Sequence, residues 1–235
     1  MSANGIKALF FDVFGTLVDW RSGVAREAES VLKPLGFAFD WLALADAWRE
    51  QYQPAMEEVR SGRLAYTKLD ILHCQTLKRI LPRFGIGELA DADLNRLILA
   101  WHRLDAWPDV QPGLSRLRQR FLIAPVSNGN TAIMCDLARR NDFRWDAILG
   151  ADHARDFKPK AAVYLAAADA FGLSTGECMM CAAHGSDLRA AAETGLRTAF
   201  IARPEERPGF SESTLGMTVD LSCRSALDLA SQLGT

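Results

Sequence analysis

The alternation of apolar and polar stretches along the chain predicts its architecture. Residues 6–11 form a short apolar run closed by Asp12 and a Gly15-Thr16 turn. Apolar runs of this length, bounded by turn residues, read as parallel strands buried on both faces. Four more follow, at 121–126, 147–149, 178–183 and 198–201. Between them lie helical patterns at 132–140 and at 160–171, the second followed by Gly172 as a C-terminal cap. Strands alternating with helices predict an α/β fold, a three-layer Rossmann-like parallel sheet with helices on both faces.

One stretch breaks the alternation. From about residue 20 to 104 apolar residues recur at helical spacing, as in Trp41, Leu44, Ala45 and Trp48, or Leu69, Leu72 and Leu77, and no strand pattern appears. Gly36, Gly62 and the 82–87 region punctuate these helices, and Pro108, Pro112 and Gly113 mark the return to the sheet. The expected division is an α/β core of residues 1–19 and 105–235 carrying an inserted helical cap domain of residues 20–104.

Composition narrows the partners. The chain has 235 residues, 49% hydrophobic and 24% charged, with a formal net charge of -2. Without a basic block to grip a phosphate backbone, nucleic acid is a poor partner. No apolar run approaches the length of a membrane span, and the first residues lack the regions of a signal peptide. The five cysteines are odd in number and scattered, which suits a reducing cytoplasm better than a disulfide framework.

In a doubly wound sheet, ligands bind beyond the carboxyl ends of the strands. The polar residues at those ends are Asp12, Ser127-Asn128, the loop 156–159 with Lys158, and the segment 184–187 with His184 and Asp187. Singly, each has an ordinary alternative: Asp12 and Ser127 as turn or cap residues, Lys158 as a solvated lysine. Their order at successive strand ends raises the joint case for a site.

Phe11-Asp12-Val13-Phe14-Gly15-Thr16-Leu17, Ser127-Asn128-Gly129, Lys158-Pro159 and Asp187 together resemble the four motifs of the haloacid dehalogenase superfamily. The resemblance covers nearly the whole chain, including the insertion point of the cap, and implies that Asp12 is a covalent nucleophile. Most members of the superfamily are magnesium-dependent phosphatases, which usually carry a second aspartate two residues after the nucleophile to protonate the leaving alkoxide. Here that residue is Phe14, and a halide leaves without a proton. The fourth motif offers one acid where magnesium needs several oxygen ligands. Phe14 to Asp19, Trp48-Arg49 with Gln51, and Lys158 followed by Tyr164 are similar to the L-2-haloacid dehalogenase (type II) subgroup.

The resemblance implies hydrolysis of a short-chain 2-haloacid to the 2-hydroxy acid, without metal or cofactor, through an aspartyl ester on Asp12. Lys158 would keep Asp12 ionised, and Thr16 would position it. Ser127, Asn128 and nearby backbone N–H groups would hold the substrate carboxylate. Arg49 would take the halide or orient the acid group. Asp187 would direct the hydrolytic water, and Phe14, Tyr66 and Tyr164 would complete the site, with core packing an equal reading for Tyr66.

The fourth motif departs from the subgroup: His184 stands where an asparagine is expected, and Ser186 where an aromatic wall is. His184 is expected to donate to halide or to act as a base on the hydrolytic water. Cys178 and Cys181 form a CxxC inside an apolar strand, for which core packing is the better explanation than redox or zinc chemistry. His73 and His153 lack ligand-like spacing and read as ordinary polar residues. Dimers are common among similar dehalogenases, so a homodimer is compatible with the resemblance, though no interface is visible in the sequence. The competing functional readings are a magnesium-dependent phosphatase of the same fold and a non-catalytic binding module that retains it.

Overall fold

A computed structural model describes residues 5–207 and 218–235. The chain begins with strand β1 (Ala8–Phe11) and passes into helices α1 (Trp20–Leu32), α2 (Trp41–Glu50), α3 (Tyr52–Arg60), α4 (Leu69–Ile80) and α5 (Asp91–Ile98). It then alternates through α6 (Val110–Leu117), β2 (Leu122–Ser127), α7 (Thr131–Asn141), β3 (Leu149–Gly150), α8 (Ala151–Ala154) and α9 (Ala161–Ala170). Strand β4 (Cys178–Ala182), α10 (Gly185–Glu193), β5 (Arg197–Ile201), β6 (Leu221–Cys223) and α11 (Ala226–Gln232) complete it.

Among the described residues six strands form one sheet in the order β3-β2-β1-β4-β5-β6, and every pairing is parallel. The sheet has one more strand than the apolar runs predict. Strand β6 is only three residues long and partly exposed, so it carries neither a continuous apolar run nor a clear alternation.

β1 lies between β2 and β4 and is buried throughout. Side chains alternate across a strand, so Ala8 and Phe10 pack on one face with Val163, Tyr164 and Ala167 of α9 and Leu188 of α10. Leu9 and Phe11 point to the opposite face, in the cluster that includes Leu114 of α6, Leu137 of α7 and Leu229 of α11. Helices therefore cover both faces, as parallel sheets require. The same alternation separates the two CxxC sulfurs: Cys178 belongs to the first cluster and Cys181 to the second, and both are free thiols.

The helical block between β1 and β2 opens with a side-chain cap: Asp19 precedes α1 and accepts the backbone N–H of Ser22 at 3.0 Å. Its interior is aromatic. Trp101 stacks against Trp20 with ring centroids 6.2 Å apart, meets Trp48 edge-on at 5.6 Å and stacks on His73 at 4.4 Å. His73 is 2% exposed rather than an ordinary polar residue, and burial lowers its pKa to about 3, which keeps the ring neutral. Among the described residues no helix is long and apolar enough to cross a membrane.

Candidate active site

Asp12 follows the last residue of β1, and its backbone N–H bonds to Cys181 O of β4 at 3.0 Å, so the central pair of strands fixes its position. Asp12 is 7% exposed, and its carboxylate opens onto a cavity of about 860 Å³. Oδ1 accepts from Lys158 Nζ at 2.9 Å. Oδ2 accepts from Thr16 Oγ at 2.7 Å and lies 3.0 Å from His184 Nδ1. Thr16 Oγ itself accepts the Ala183 N–H at 2.9 Å, which directs its own proton at Asp12.

These partners decide the charge of the carboxylate. Burial alone would push its pKa up, but the Lys158 ammonium and the His184 hydrogen bond outweigh it, and Asp12 stays far below the usual carboxylate range. Lys158 Nζ also donates to Asp187 Oδ2 at 2.6 Å, so one buried ammonium joins two carboxylates. Burial opposes the lysine's charge, yet the two acids hold its pKa above the ordinary value. Asp187 behaves differently: burial raises its carboxyl despite Lys158, with Asp12 adding repulsion. Tyr164 of α9 donates to Asp187 Oδ1 at 2.5 Å.

Much of the rest of the cavity wall comes from the helical block and the loop after β5. Phe14 meets Trp101 edge-on at 5.4 Å and lines the cavity. Arg49 of α2 lays its guanidinium 4.0 Å from the Tyr52 ring centroid and 5.2 Å from that of Trp20. Its Nη1 is buried without a hydrogen-bond partner among the described residues. Asn128 lines the cavity and accepts the Lys158 backbone N–H at 2.7 Å, tying the end of β2 to the lysine loop.

Residues 6–195 match the haloacid dehalogenase-like hydrolases. The chain belongs to that family. A defluorinating L-2-haloacid dehalogenase of known structure is 41% identical, with a TM-score of 0.94 over 98% of this chain and 96% of that one. A second L-2-haloacid dehalogenase structure is 43% identical, with a TM-score of 0.91 over 98% of this chain and all of the other. (S)-2-haloacid dehalogenase 4A of Burkholderia cepacia is 27% identical over 215 residues, 90% of each chain.

In this haloacid dehalogenase-like hydrolase, Asp12, Phe14, Arg49, Asn128, Lys158, Tyr164, His184 and Asp187 all face one cavity, and Thr16 stands directly behind Asp12. Two further expected residues lie away from it. Tyr66 donates to Asp152 Oδ1 at 2.6 Å and packs on Phe157 at 5.5 Å, because the loop before α4 turns its side chain toward α8. Ser127 is fully buried, and its hydroxyl accepts the Gly129 N–H at 3.1 Å, the turn-capping alternative that its position allowed.

The expectation that His184 can serve as a base also needs correction. Its Nδ1 faces Asp12, and its Nε2 lies 3.2 Å from both carboxylate oxygens of Glu206. Burial opposes the charge, but hydrogen bonds to these two acids raise its pKa to about 10. It is an imidazolium at neutral pH, with both nitrogens acting as donors.

Tyr52, Arg60 and Glu206 are among the cavity-lining residues that no motif in the sequence marks. Arg60 donates to Lys158 O at 2.8 Å and so links α3 to the lysine loop. Glu206 accepts Trp20 Nε1 at 2.8 Å, and its carboxylate occupies the space that a Cβ on Gly15 would fill, so a side chain there would have to displace it. Gly15 also has φ +83°, a conformation that glycine adopts without strain. Glu206 lies in the loop after β5, beyond the strand end itself, and no pattern in the sequence marks it.

Proposed function

We infer that this enzyme hydrolyses short-chain 2-haloacids to 2-hydroxy acids, with Asp12 as the covalent nucleophile and no metal ion. The observation that carries the reading is the pairing of an ionised, buried Asp12 with an aromatic wall at Phe14, two residues on. Displacement of a halide needs a strong carboxylate nucleophile and no proton donor at the leaving group. Displacement of an alkoxide from phosphorus needs that donor, and Phe14 cannot supply it. The L-2-haloacid dehalogenases at over 40% identity support the same substrate class.

The geometry supports the following roles. Asp12 Oδ1, which among the described residues accepts from the Lys158 ammonium, attacks C2 of the haloacid in line with the carbon–halogen bond, and the electron pair leaves with the halide. Lys158 offsets the repulsion between Asp12 and the substrate carboxylate, which the Asn128 amide holds at the end of β2. Arg49, reaching down from the helical cap, receives the halide at Nη1, which has no hydrogen-bond partner among the described residues. Water then attacks the ester carbonyl carbon of Asp12. Its proton passes to Asp187, whose raised pKa suits a base better than the strongly acidic Asp12 does.

Halide release from chloro-, bromo- and fluoroacetate and from each 2-chloropropionate enantiomer, with EDTA present, tests this reading. Release that survives EDTA and collapses in Asp12→Asn is expected. No release from any of the five, with turnover of a phosphate ester on adding magnesium, overturns it.

A further inference from the structure

We propose that Glu206 is a positioning residue which pins His184 so that its Nδ1–H, together with the Thr16 hydroxyl, forms the oxyanion hole for hydrolysis of the aspartyl ester. The proposal rests on the reading that an ester forms on Asp12, and adds a step-specific role within it. If Oδ1 becomes the bridging ester oxygen, Oδ2 is the carbonyl oxygen. Oδ2 already has its two donors in place, Thr16 Oγ at 2.7 Å and His184 Nδ1 at 3.0 Å. Donors at about 2.7–3.1 Å from the developing oxyanion are the geometry that stabilises a tetrahedral intermediate.

Both donors are held from behind. The Thr16 hydroxyl is oriented by the Ala183 N–H. The far side of the imidazole is held by Glu206, with Nε2 3.2 Å from each of its oxygens. Glu206 is in turn fixed by Trp20 Nε1 and by the space that Gly15 leaves. The two acids flanking the ring keep it charged up to a pKa of about 10, so its Nδ1 carries a proton across the neutral range. An asparagine at this position could donate to Oδ2 but would carry no charge and need no carboxylate behind it; His184 and Glu206 form a unit.

The step balances without a further reactant. Water adds to the ester carbonyl carbon and gives a proton to Asp187, and the C=O electron pair moves to Oδ2, between Thr16 and His184. The intermediate collapses by breaking the bond from the carbonyl carbon to Oδ1, and Oδ1 leaves with the 2-hydroxy acid. Lys158 protonates that alkoxide and recovers a proton from Asp187, 2.6 Å away. The new carboxyl on Asp12 loses its proton to solvent.

The two half-reactions therefore respond differently to Glu206. Alkylation uses Oδ1 and gains nothing from stronger donors on Oδ2, which reduce the nucleophilicity of the carboxylate; ester hydrolysis needs them. Rapid-quench single turnovers of (S)-2-chloropropionate by the parent enzyme, Glu206→Gln and Glu206→Ala measure chloride, hydroxy acid and the mass of the intact protein. In both variants the ratio of hydroxy-acid release to chloride release is expected to fall by at least roughly tenfold, as loss of an oxyanion donor costs about 10²–10³. The alkylated protein then accumulates.

A pH profile separates positioning from mere support of the fold. In Glu206→Gln, which can still accept from Trp20, the His184 pKa falls, so ester hydrolysis declines at a lower pH than in the parent. Equal slowing of chloride and hydroxy acid, or an unmoved pH profile, overturns the proposal. Absence of alkylated protein in every enzyme, with chloride still released, overturns the underlying reading as well.

Discussion

Lys158 Nζ lies 2.9 Å from Asp12 Oδ1, and neither side chain is more than 10% exposed. The same ammonium bonds Asp187 at 2.6 Å, so removing it strands two carboxylates in a buried site. A buried charge that loses its partner typically costs about 3–5 kcal/mol. Lys158→Met is expected to lose stability of that order by urea unfolding at pH 7. In the variant the Asp12 pKa rises, so any residual halide release increases with pH across the range where the parent is flat. A stability change below about 1 kcal/mol, the usual value for an exposed pair, contradicts the burial argument.

Arg49 Nη1 is buried without a partner among the described residues, an arrangement that an incoming anion relieves. Bromide is accordingly expected to inhibit the parent enzyme as a product. Arg49→Lys replaces the guanidinium, now spread over the Tyr52 ring, with a compact ammonium. Its inhibition constant for bromide is expected to rise by roughly tenfold, equivalent to about 1.4 kcal/mol. Unchanged inhibition would place the halide elsewhere.

Tyr66 lies outside the cavity, and its hydroxyl donates to Asp152, which also accepts the Thr131 N–H at 2.8 Å. Tyr66→Phe should therefore cost stability, about 1.5 kcal/mol for a hydrogen bond to a charged group, and leave kcat/KM within roughly twofold. A large fall in kcat/KM with no stability change would return Tyr66 to the site.

His102 bridges the helical block and the core, with Nε2 3.0 Å from Asp70 and Nδ1 2.7 Å from Asp136. Burial opposes its charge, but the two acids prevail and raise its pKa in the folded state. Its contribution to stability is full below the unfolded-state value of about 6.5 and is lost as pH rises through the raised folded value. The nearby His73 stays neutral and does not mask the effect. The Tm of the parent is expected to fall as pH rises above neutrality by more than that of His102→Gln. A difference of about 1 kcal/mol corresponds to roughly 2–4 °C. Identical pH dependence in the two proteins would remove His102 as the cause.

Much of this was legible from the chain itself, for definable reasons. β1 and β4 are buried throughout, and β2 and β5 are mostly buried beyond an exposed first residue, so all four present largely apolar runs. The helix expected at 160–171 is α9, Ala161–Ala170, and the one at 132–140 lies within α7, Thr131–Asn141. Lys158 and Asp187 were identifiable because they end segments at the same edge of the sheet as Asp12. Glu206 was not, because it sits in a loop and acquires meaning only through Gly15, Trp20 and His184, which are distant in sequence. Ser127 and Tyr66 show the reverse failure. A plausible residue type at a plausible place can still spend its hydroxyl on the backbone or on a neighbouring acid.

The central claim is that oxygen from Asp12, and not from solvent, enters the product first. A single turnover of (S)-2-chloropropionate with enzyme in excess, in water labelled with heavy oxygen, tests it directly. The account predicts an unlabelled hydroxy acid and label in the peptide that carries Asp12. Labelled hydroxy acid with an unlabelled Asp12 peptide would mean that water attacks the substrate carbon, and would contradict it.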